Sequence, residues 1–227
     1  MPGECFFMKC KGFLFDLDGT LVDSLPAVER AWSNWAKSRG LDPEEVLGFI
    51  HGKQAITSLR HFMQGESEET IQEQFRLLEK TEAEDTVGIS ALPGAVELLH
   101  RLNELSVPWA IVTSGSVPVA HARHAAGELA RPEIFITAEL VARGKPNPDP
   151  YLLGAEKLGL KPEECVVVED APAGILSGLA AGCKVIAVNA PDDAPGLDKV
   201  DLVLQSLAAL QIEAGQDNEF IISLTNG

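Results

Sequence analysis

Two short acidic motifs in the chain contain residues that could bind a cation. Asp16 and Asp18 belong to the string Asp-Leu-Asp-Gly, and Glu169 and Asp170 follow three valines. Carboxylates gathered in one pocket repel one another and are costly to bury unpaired, so a cation must offset their charge. A ligand set of oxygen atoms, without His or Cys, suits a small and hard ion. We therefore predict that these carboxylates bind Mg²⁺.

A lysine and two hydroxyl residues are available to bind an anion beside that metal. Lys145 lies in the string Gly-Lys-Pro-Asn-Pro, and Thr113 and Ser114 end an apolar segment. Ammonium and hydroxyl groups donate hydrogen bonds to phosphate oxygens, and so do the backbone amides of a tight turn. Beside so many carboxylates, a phosphate dianion can approach only when the metal is present. These residue types favour a site for a phosphorylated ligand.

The motifs follow short apolar segments that are typical of buried β-strands. Such segments occur at 12–16, 109–113, 134–137, 166–169, 185–188 and 202–204. Helical spacing of apolar residues lies between them, at 93–105, 148–158 and 172–181. Strands alternating with helices predict an α/β fold with a parallel sheet covered on both faces. Ligands bind beyond the carboxyl ends of such strands, so the motifs converge on one pocket if strand 12–16 is central.

Residues 25–87 interrupt this alternation, because no strand-like segment occurs there. Apolar residues recur at helical spacing within 27–39, 54–63 and 71–78. We predict a helical domain of residues 25–87, with Trp32 and Trp35 in its core, inserted into a core domain of residues 1–24 and 88–227. We assign no element to residues 1–7. Residues 211–227 are either an edge strand around Phe220 or a frayed end.

The motifs together resemble those of the haloacid dehalogenase superfamily of phosphatases. Four segments match in order and spacing, residues 16–23, 113–114, 144–148 and 169–170, and the resemblance covers residues 11–207. It implies a Rossmann-like parallel-sheet core, and the insert resembles the superfamily's all-helical C1 cap. Segments 131–152 and 169–175 are similar to those of sugar-phosphate and glycerol-phosphate phosphatases. The resemblance implies Mg²⁺-dependent hydrolysis of small sugar or polyol phosphates through an aspartyl-phosphate.

The resemblance also implies roles for single residues. Asp16 would be the nucleophile, and Asp18 would be the general acid and then the general base. Three residues would bind the phosphoryl group: Thr113, Ser114 and Lys145. Four would hold the metal: Asp16, Asp18 through its backbone carbonyl, Glu169 and Asp170. Glu169 would act through a water molecule or by orienting the lysine.

The string His51-Gly52-Lys53-Gln54 lies between two predicted helices of the insert, where a C1 cap reaches into the active site. We expect His51, Gly52 and Lys53 to contact the substrate, with Lys53 donating hydrogen bonds to sugar hydroxyls. The alternative is an ordinary turn in which Gly52 stops a helix. Three histidines beside arginines, His100, His121 and His124, are expected on solvent-exposed helix faces.

Three other functions stay open. A phosphomutase of the same superfamily, similar to β-phosphoglucomutase, would use the same motifs but return the phosphoryl group to the sugar, and only the cap loop separates the two. A dehalogenase is expected to lack the second aspartate, which is present here as Asp18. A non-catalytic phosphate-binding or regulatory protein is expected to have lost a motif, and all four are intact.

The overall charge excludes polyanionic partners. The 227 residues include 18 Lys plus Arg and 34 Asp plus Glu, for a formal net charge of −16, with no basic run. Nucleic acid and anionic membranes are bound through basic residues, so we expect neither as a partner. We find no membrane span or signal peptide and expect a cytoplasmic monomer with a small-molecule substrate. The cysteines, Cys5, Cys10, Cys165 and Cys183, are expected to be reduced thiols rather than zinc ligands.

Overall fold

A computed structural model describes residues 6–225 of the chain. In chain order, its strands are β1 (Phe7–Cys10), β2 (Gly12–Phe15), β3 (Val22–Asp23), β4 (Ser90–Ala91), β5 (Trp109–Val112), β6 (Ile134–Ile136), β7 (Cys165–Glu169), β8 (Lys184–Val188), β9 (Leu202–Leu204), β10 (Leu210–Ala214) and β11 (Phe220–Leu224). Its helices are α1 (Leu25–Ser38), α2 (Pro43–Ile50), α3 (Ala55–Phe62), α4 (Glu68–Glu84), α5 (Ala95–Glu104), α6 (Val117–Ala126), α7 (Asp149–Lys157) and α8 (Pro172–Ala180). Within this part of the chain, no helix has the length and apolar character that a membrane crossing needs.

The main sheet has six parallel strands in the order β6-β5-β2-β7-β8-β9. All residues of β2 are buried, and Phe13 pairs with Trp109 on one side and with Val166 on the other. Alternate side chains of a strand point to opposite faces, so Phe13 and Phe15 join one apolar layer and Leu14 joins the other. Both faces are therefore covered. The predicted α/β core, with its first strand in the centre, is confirmed.

This strand order determines where the polar motifs meet. From β2 the chain moves outward through β5 to β6, and then crosses to β7 on the other side of β2. Ligands of open α/β sheets bind at such a reversal, beyond the carboxyl ends of the strands. The segments after β2, β5 and β7 are those that carry the acidic and hydroxyl motifs.

A second sheet joins the two ends of the described chain. Its order is β1-β11-β10 with antiparallel pairing, and Ile222 is buried between Met8 and Ile212. The tail therefore does form a strand, but β11 is the central strand of this sheet and not an edge. β1 begins at Phe7, which the sequence analysis left without an element. Residues 1–5, 226 and 227 lie outside the described part.

Helices α1 to α4 form the insert and share an apolar core of their own. Trp32 and Trp35 are buried there, edge to face, as expected. Helix α2 is absent from the sequence-based prediction, although its buried residues Val46 and Ile50 are spaced four apart. Its start has a local signal, since the Asp42 side chain accepts a hydrogen bond from the Glu44 amide. We keep residues 25–87 as the proposed extent of this cap.

The two segments that connect the core to the insert lie side by side. β3 pairs antiparallel with β4, with Val22 opposite Ala91 and Asp23 opposite Ser90. The insert also contacts the core at a second place, where α4 packs against α6. A short ladder and a helix pair are thus two of the places where the insert is attached to the core.

Candidate functional site

A buried lysine contacts two carboxylates at the carboxyl ends of the central strands of the main sheet. Lys145 Nζ donates to Asp16 Oδ1 at 2.9 Å, to Glu169 Oε1 at 2.6 Å and to the Val112 carbonyl at 2.9 Å. The side chains of Lys145 and Glu169 are fully buried, and that of Asp16 is nearly so. Burial alone would lower the pKa of Lys145, but attraction by Asp16 and Glu169 outweighs it and raises that pKa. Lys145 is therefore a cation in this site.

The carboxylates exceed what one lysine can neutralise. Burial raises the pKa of Asp16 to about 7, with repulsion from Glu169 adding to the effect and Lys145 opposing it. Burial and repulsion from Asp16 and Glu169 also raise the pKa of Asp170 well above its usual value. One oxygen from each of Asp16, Glu169 and Asp170 lies within 4.8 Å of the others. This acidic group can hold a cation, and its oxygen donors suit a hard divalent ion.

The turn after β2 packs closely against Asp170, a member of this acidic group. Gly19 has a φ of +81°, and a Cβ atom there would lie 2.1 Å from Asp170 Oδ2. Thr20 Oγ1 donates to Asp170 Oδ1 at 3.0 Å. A glycine is thus required both by the backbone conformation and by the close carboxylate.

Glu169 is held from two sides. The Tyr151 hydroxyl donates to Glu169 Oε1 at 2.5 Å, and the backbone amides of Asp170 and Ala171 donate to its other oxygen. The same Oε1 accepts from Lys145, so of the two roles proposed for Glu169 the structure supports the orienting one. The sequence analysis did not single out Tyr151, whose only signal is its place on the helix after the Lys145 loop.

The Asp18 side chain lines the same cavity as Asp16 and forms an ion pair with a residue of a core helix. Its Oδ1 lies 3.1 Å from Nη1 of Arg123, whose Nη2 donates to Glu82 of α4 at 2.9 Å. Arg123 is buried, whereas the neighbouring His121 is exposed as expected. The predicted solvent-exposed face therefore does not extend to Arg123. We keep the Asp18 backbone carbonyl as the part of this residue that is proposed for the metal.

The two hydroxyl residues after β5 have different partners. Thr113 Oγ1 accepts a hydrogen bond from the Gly115 amide at 3.0 Å, so its own proton can serve a ligand. Ser114 Oγ donates to the Gly52 carbonyl of the insert at 2.9 Å. Ser114 therefore links core and cap in this structure, and its predicted phosphate contact stays a prediction.

The loop of residues 51–54 lies directly on the core. Gly52 has a φ of +75°, and a Cβ atom there would lie 2.7 Å from the Ala171 Cβ. Gln54 Nε2 donates to the Ala138 carbonyl at 3.3 Å. The cap is therefore docked over the site.

A cavity of about 650 Å³ lies between the core and this docked cap. His51, Gly52 and Lys53 are among the residues that line it, but Lys53 Nζ donates to the Phe49 carbonyl at 2.5 Å. Its predicted contact with sugar hydroxyls is therefore untested. Sequence reasoning missed a second set of lining residues, on one face of α4: Gln72, Phe75, Glu79 and Glu82. Their helical spacing is a signal that could have found them.

Comparison with known proteins agrees with the sequence motifs and the fold. A family model for haloacid dehalogenase-like hydrolases matches residues 10–182. The chain is 68% identical over 215 residues to hexitol phosphatase A of Escherichia coli (strain K12), covering 95% of this chain and all of the relative. It is 36% identical over 191 residues to glycerol-1-phosphate phosphohydrolase 1 of Saccharomyces cerevisiae, covering 80% and 75% of the two chains.

Solved structures show the same architecture. The crystal structure of a hydrolase from Pseudomonas syringae matches with a TM-score of 0.78 at 27% identity, over 87% of this chain and 94% of the other. The resemblance drawn from four sequence motifs is thereby confirmed over most of the chain. With its parallel core, its helical insert and its acidic site, the chain belongs to the haloacid dehalogenase-like hydrolase family.

Proposed function

We propose that the chain is a Mg²⁺-dependent phosphatase that hydrolyses phosphate monoesters of small polyols and sugars, hexitol phosphates among them. The observation that carries this proposal is the placement of Asp16. Its carboxylate is nearly buried, accepts a hydrogen bond from Lys145, and lines a cavity between the core and the cap. The names of the E. coli and S. cerevisiae relatives, a hexitol phosphatase and a glycerol-1-phosphate phosphohydrolase, support the polyol class of substrate.

The acidic group fits a magnesium ion by its chemistry. Its donors are carboxylate oxygens of Asp16, Glu169 and Asp170, and they include no His or Cys. We assign the Asp18 backbone carbonyl as a further donor. Such donors suit Mg²⁺ better than a softer metal. When bound, the ion would offset the negative charge that repels a phosphate dianion.

The residues of the chain then account for two displacements at phosphorus. In the first, a carboxylate oxygen of Asp16 attacks phosphorus, the bond to the ester oxygen breaks, and Asp18 gives that oxygen its proton. In the second, Asp18 takes a proton from water, the water oxygen attacks phosphorus, and the bond to Asp16 breaks. Inorganic phosphate leaves. Thr113 donates to the phosphoryl oxygens as charge develops. The three donors of Lys145 are taken by Asp16, Glu169 and the Val112 carbonyl, so Lys145 would have to exchange one of these acceptors to contact the phosphoryl group.

The cap supplies groups for the hydroxyl-rich part of the substrate. Gln72 and Glu79 of α4 line the cavity and are half-buried. Amide and carboxylate groups bind hydroxyls, whereas a carboxylate repels a second phosphate. Trp32 and Phe75 also line the cavity, and they offer an apolar surface to the carbon chain of the substrate. The lining also contains Lys53 and Arg60, so it does not by itself exclude a second phosphate. We favour monophosphates with a neutral polyol chain over bisphosphates, which a mutase must bind, because of the names of the hexitol and glycerol-1-phosphate relatives.

A phosphate-release screen tests the proposal. The panel is hexitol phosphates, glycerol 1-phosphate, hexose phosphates and phosphoglycolate, each with Mg²⁺ and with EDTA. We expect the highest kcat/KM with a hexitol or other polyol monophosphate in Mg²⁺. Isomerised sugar phosphate without free phosphate would indicate the mutase. Binding without turnover would indicate the regulatory protein. The predicted cytoplasmic location and monomeric state need cell fractionation and size-exclusion chromatography.

A further inference from the structure

A buried arginine connects the cap to the carboxylate that the proposed reaction uses as an acid. Arg123 lies on α6 of the core, is 5% exposed and lines the cavity. Its Nη1 is 3.1 Å from Asp18 Oδ1, and its Nη2 donates to Glu82 Oε1 at 2.9 Å. Glu82 belongs to α4 of the cap. One side chain thus spans the boundary between the two parts.

The contacts of Arg123 with two carboxylates determine how its guanidinium group is oriented. A buried guanidinium must be paired, and here it is shared by two carboxylates. Its planar shape sets the angle between the two nitrogens that contact Asp18 and Glu82. Within residues 6–225, Arg123 is the one cationic side chain in ion-pair distance of Asp18. Nη1 lies at ion-pair distance from Asp18 Oδ1 without forming a hydrogen bond, whereas Nη2 donates to Glu82. Arg123 therefore attracts the Asp18 carboxylate by its charge, and Glu82 determines where that charge lies.

We propose that Arg123 is a positioning residue that aims the Asp18 carboxylate at the leaving-group oxygen, and that Glu82 makes this aim depend on the docked cap. The inference rests on the proposed function, in which Asp18 protonates the departing alkoxide. A polyol alkoxide is a strong base and needs that proton as the bond breaks. p-Nitrophenolate is a weak base and leaves without it. If the Asp18 carboxylate is misplaced, kcat/KM should therefore fall more for substrates with poor leaving groups than for substrates with good ones.

Comparing kcat/KM for a hexitol phosphate and for p-nitrophenyl phosphate tests this role. This constant covers the steps up to release of the leaving group, so the later hydrolysis of the aspartyl-phosphate does not enter. For Arg123→Gln we expect a loss on the order of 10²-fold with the hexitol phosphate and below about threefold with p-nitrophenyl phosphate. Arg123→Lys keeps the charge but not the planar fork, and should show the same selectivity in smaller measure.

Two further variants separate positioning from structural support. Arg30→Gln is the matched control, because it removes an arginine pair with Asp85 outside the cavity, and it should leave both constants unchanged. In an Asp18→Asn background, adding Arg123→Gln should cost little more, since the group that Arg123 aims is gone.

Equal losses on both substrates would overturn the proposal and make Arg123 a clamp between core and cap. If Arg123→Gln does not fold, Arg123→Lys and Glu82→Gln test the proposal by the same comparison of kcat/KM for the two substrates. Absence of phosphate release by the wild-type protein from either substrate would instead remove the proposed function.

Discussion

Asp16 combines two properties that a phosphoryl acceptor needs. It is desolvated, which strengthens its interactions, and Lys145 holds one of its oxygens at 2.9 Å. The same burial raises its pKa to about 7, so a cation in the acidic group would favour the charged, reactive form. The proposed nucleophile and the acidic group that could hold a cation thus affect each other electrostatically.

Asp16→Asn should abolish turnover while leaving the fold intact. The amide keeps the shape of the side chain but cannot form the acyl phosphate, so kcat should fall at least about 10³-fold. Phosphate release measures the loss, and thermal unfolding of both proteins shows whether the fold is retained. A folded variant with more than about a tenth of the wild-type kcat would contradict the assigned nucleophile.

Gly19→Ala should raise the Mg²⁺ concentration needed for half-maximal activity. Its Cβ atom would lie 2.1 Å from Asp170 Oδ2 and would displace that carboxylate. Gly40→Ala is the matched control, because Gly40 also has a positive φ, of +68°, but open space around it. Both variants should lose about 1 kcal/mol of stability from the strained backbone. A similar metal requirement in the two variants would argue against Asp170 as a ligand.

At the scale of elements, the docked cap loop is held mainly through backbone groups. Ser114 donates to the Gly52 carbonyl, and Gln54 reaches the Ala138 carbonyl. Each contact uses a backbone carbonyl, but the second also needs the Gln54 side chain of the loop itself. The loop therefore docks on the core through Gly52 and Gln54, while His51 and Lys53 line the cavity.

Ser114→Ala should weaken cap closure and raise KM for a polyol phosphate by about three- to tenfold, the effect of one lost hydrogen bond. The KM for a minimal aryl phosphate should change less, because that substrate has no hydroxyls for the cap to contact. Ser58→Ala is the control, since its buried hydroxyl has no partner in the described chain. Equal losses on both substrates would instead support the predicted phosphate contact of Ser114.

At the scale of the whole molecule, the parallel core could be read from the sequence, and the smaller sheet could not. Strand β2 and its neighbours are continuous apolar segments, which identify themselves locally. By contrast, Phe7 pairs with Ser223 across almost the entire chain, and no local pattern encodes that contact. The convergence of Asp16 and Lys145 on one site could likewise be inferred from motifs. The burial of Arg123 could not, because it depends on the packing of α4 against α6.

Metal removal should affect stability as well as activity. EDTA should abolish phosphate release, and Mg²⁺ should restore it. Without metal, the pKa of Asp16 is raised from 3.8 to about 7, so its contribution to the free energy of unfolding is present at low pH and lost as pH rises through about 7. Mg²⁺ replaces the protons, so it should raise Tm more at about pH 8 than at about pH 5.5. Equal shifts at both pH values would contradict a metal bound by these carboxylates.

The ladder of β3 and β4 places the two ends of the cap next to each other on the core. For the core, the cap is therefore a loop whose ends are already closed, and each doubling of loop length adds only about 0.6 kcal/mol of closure entropy. A core built in this way tolerates inserts of very different size at one position. Apart from Glu82, the residues proposed for the phosphate chemistry and those of the cap lie in separate stretches of chain. A different cap grafted between Asp23 and Ser90 should therefore change the substrate, and it should keep full activity on poor leaving groups only where it supplies a carboxylate in the place of Glu82.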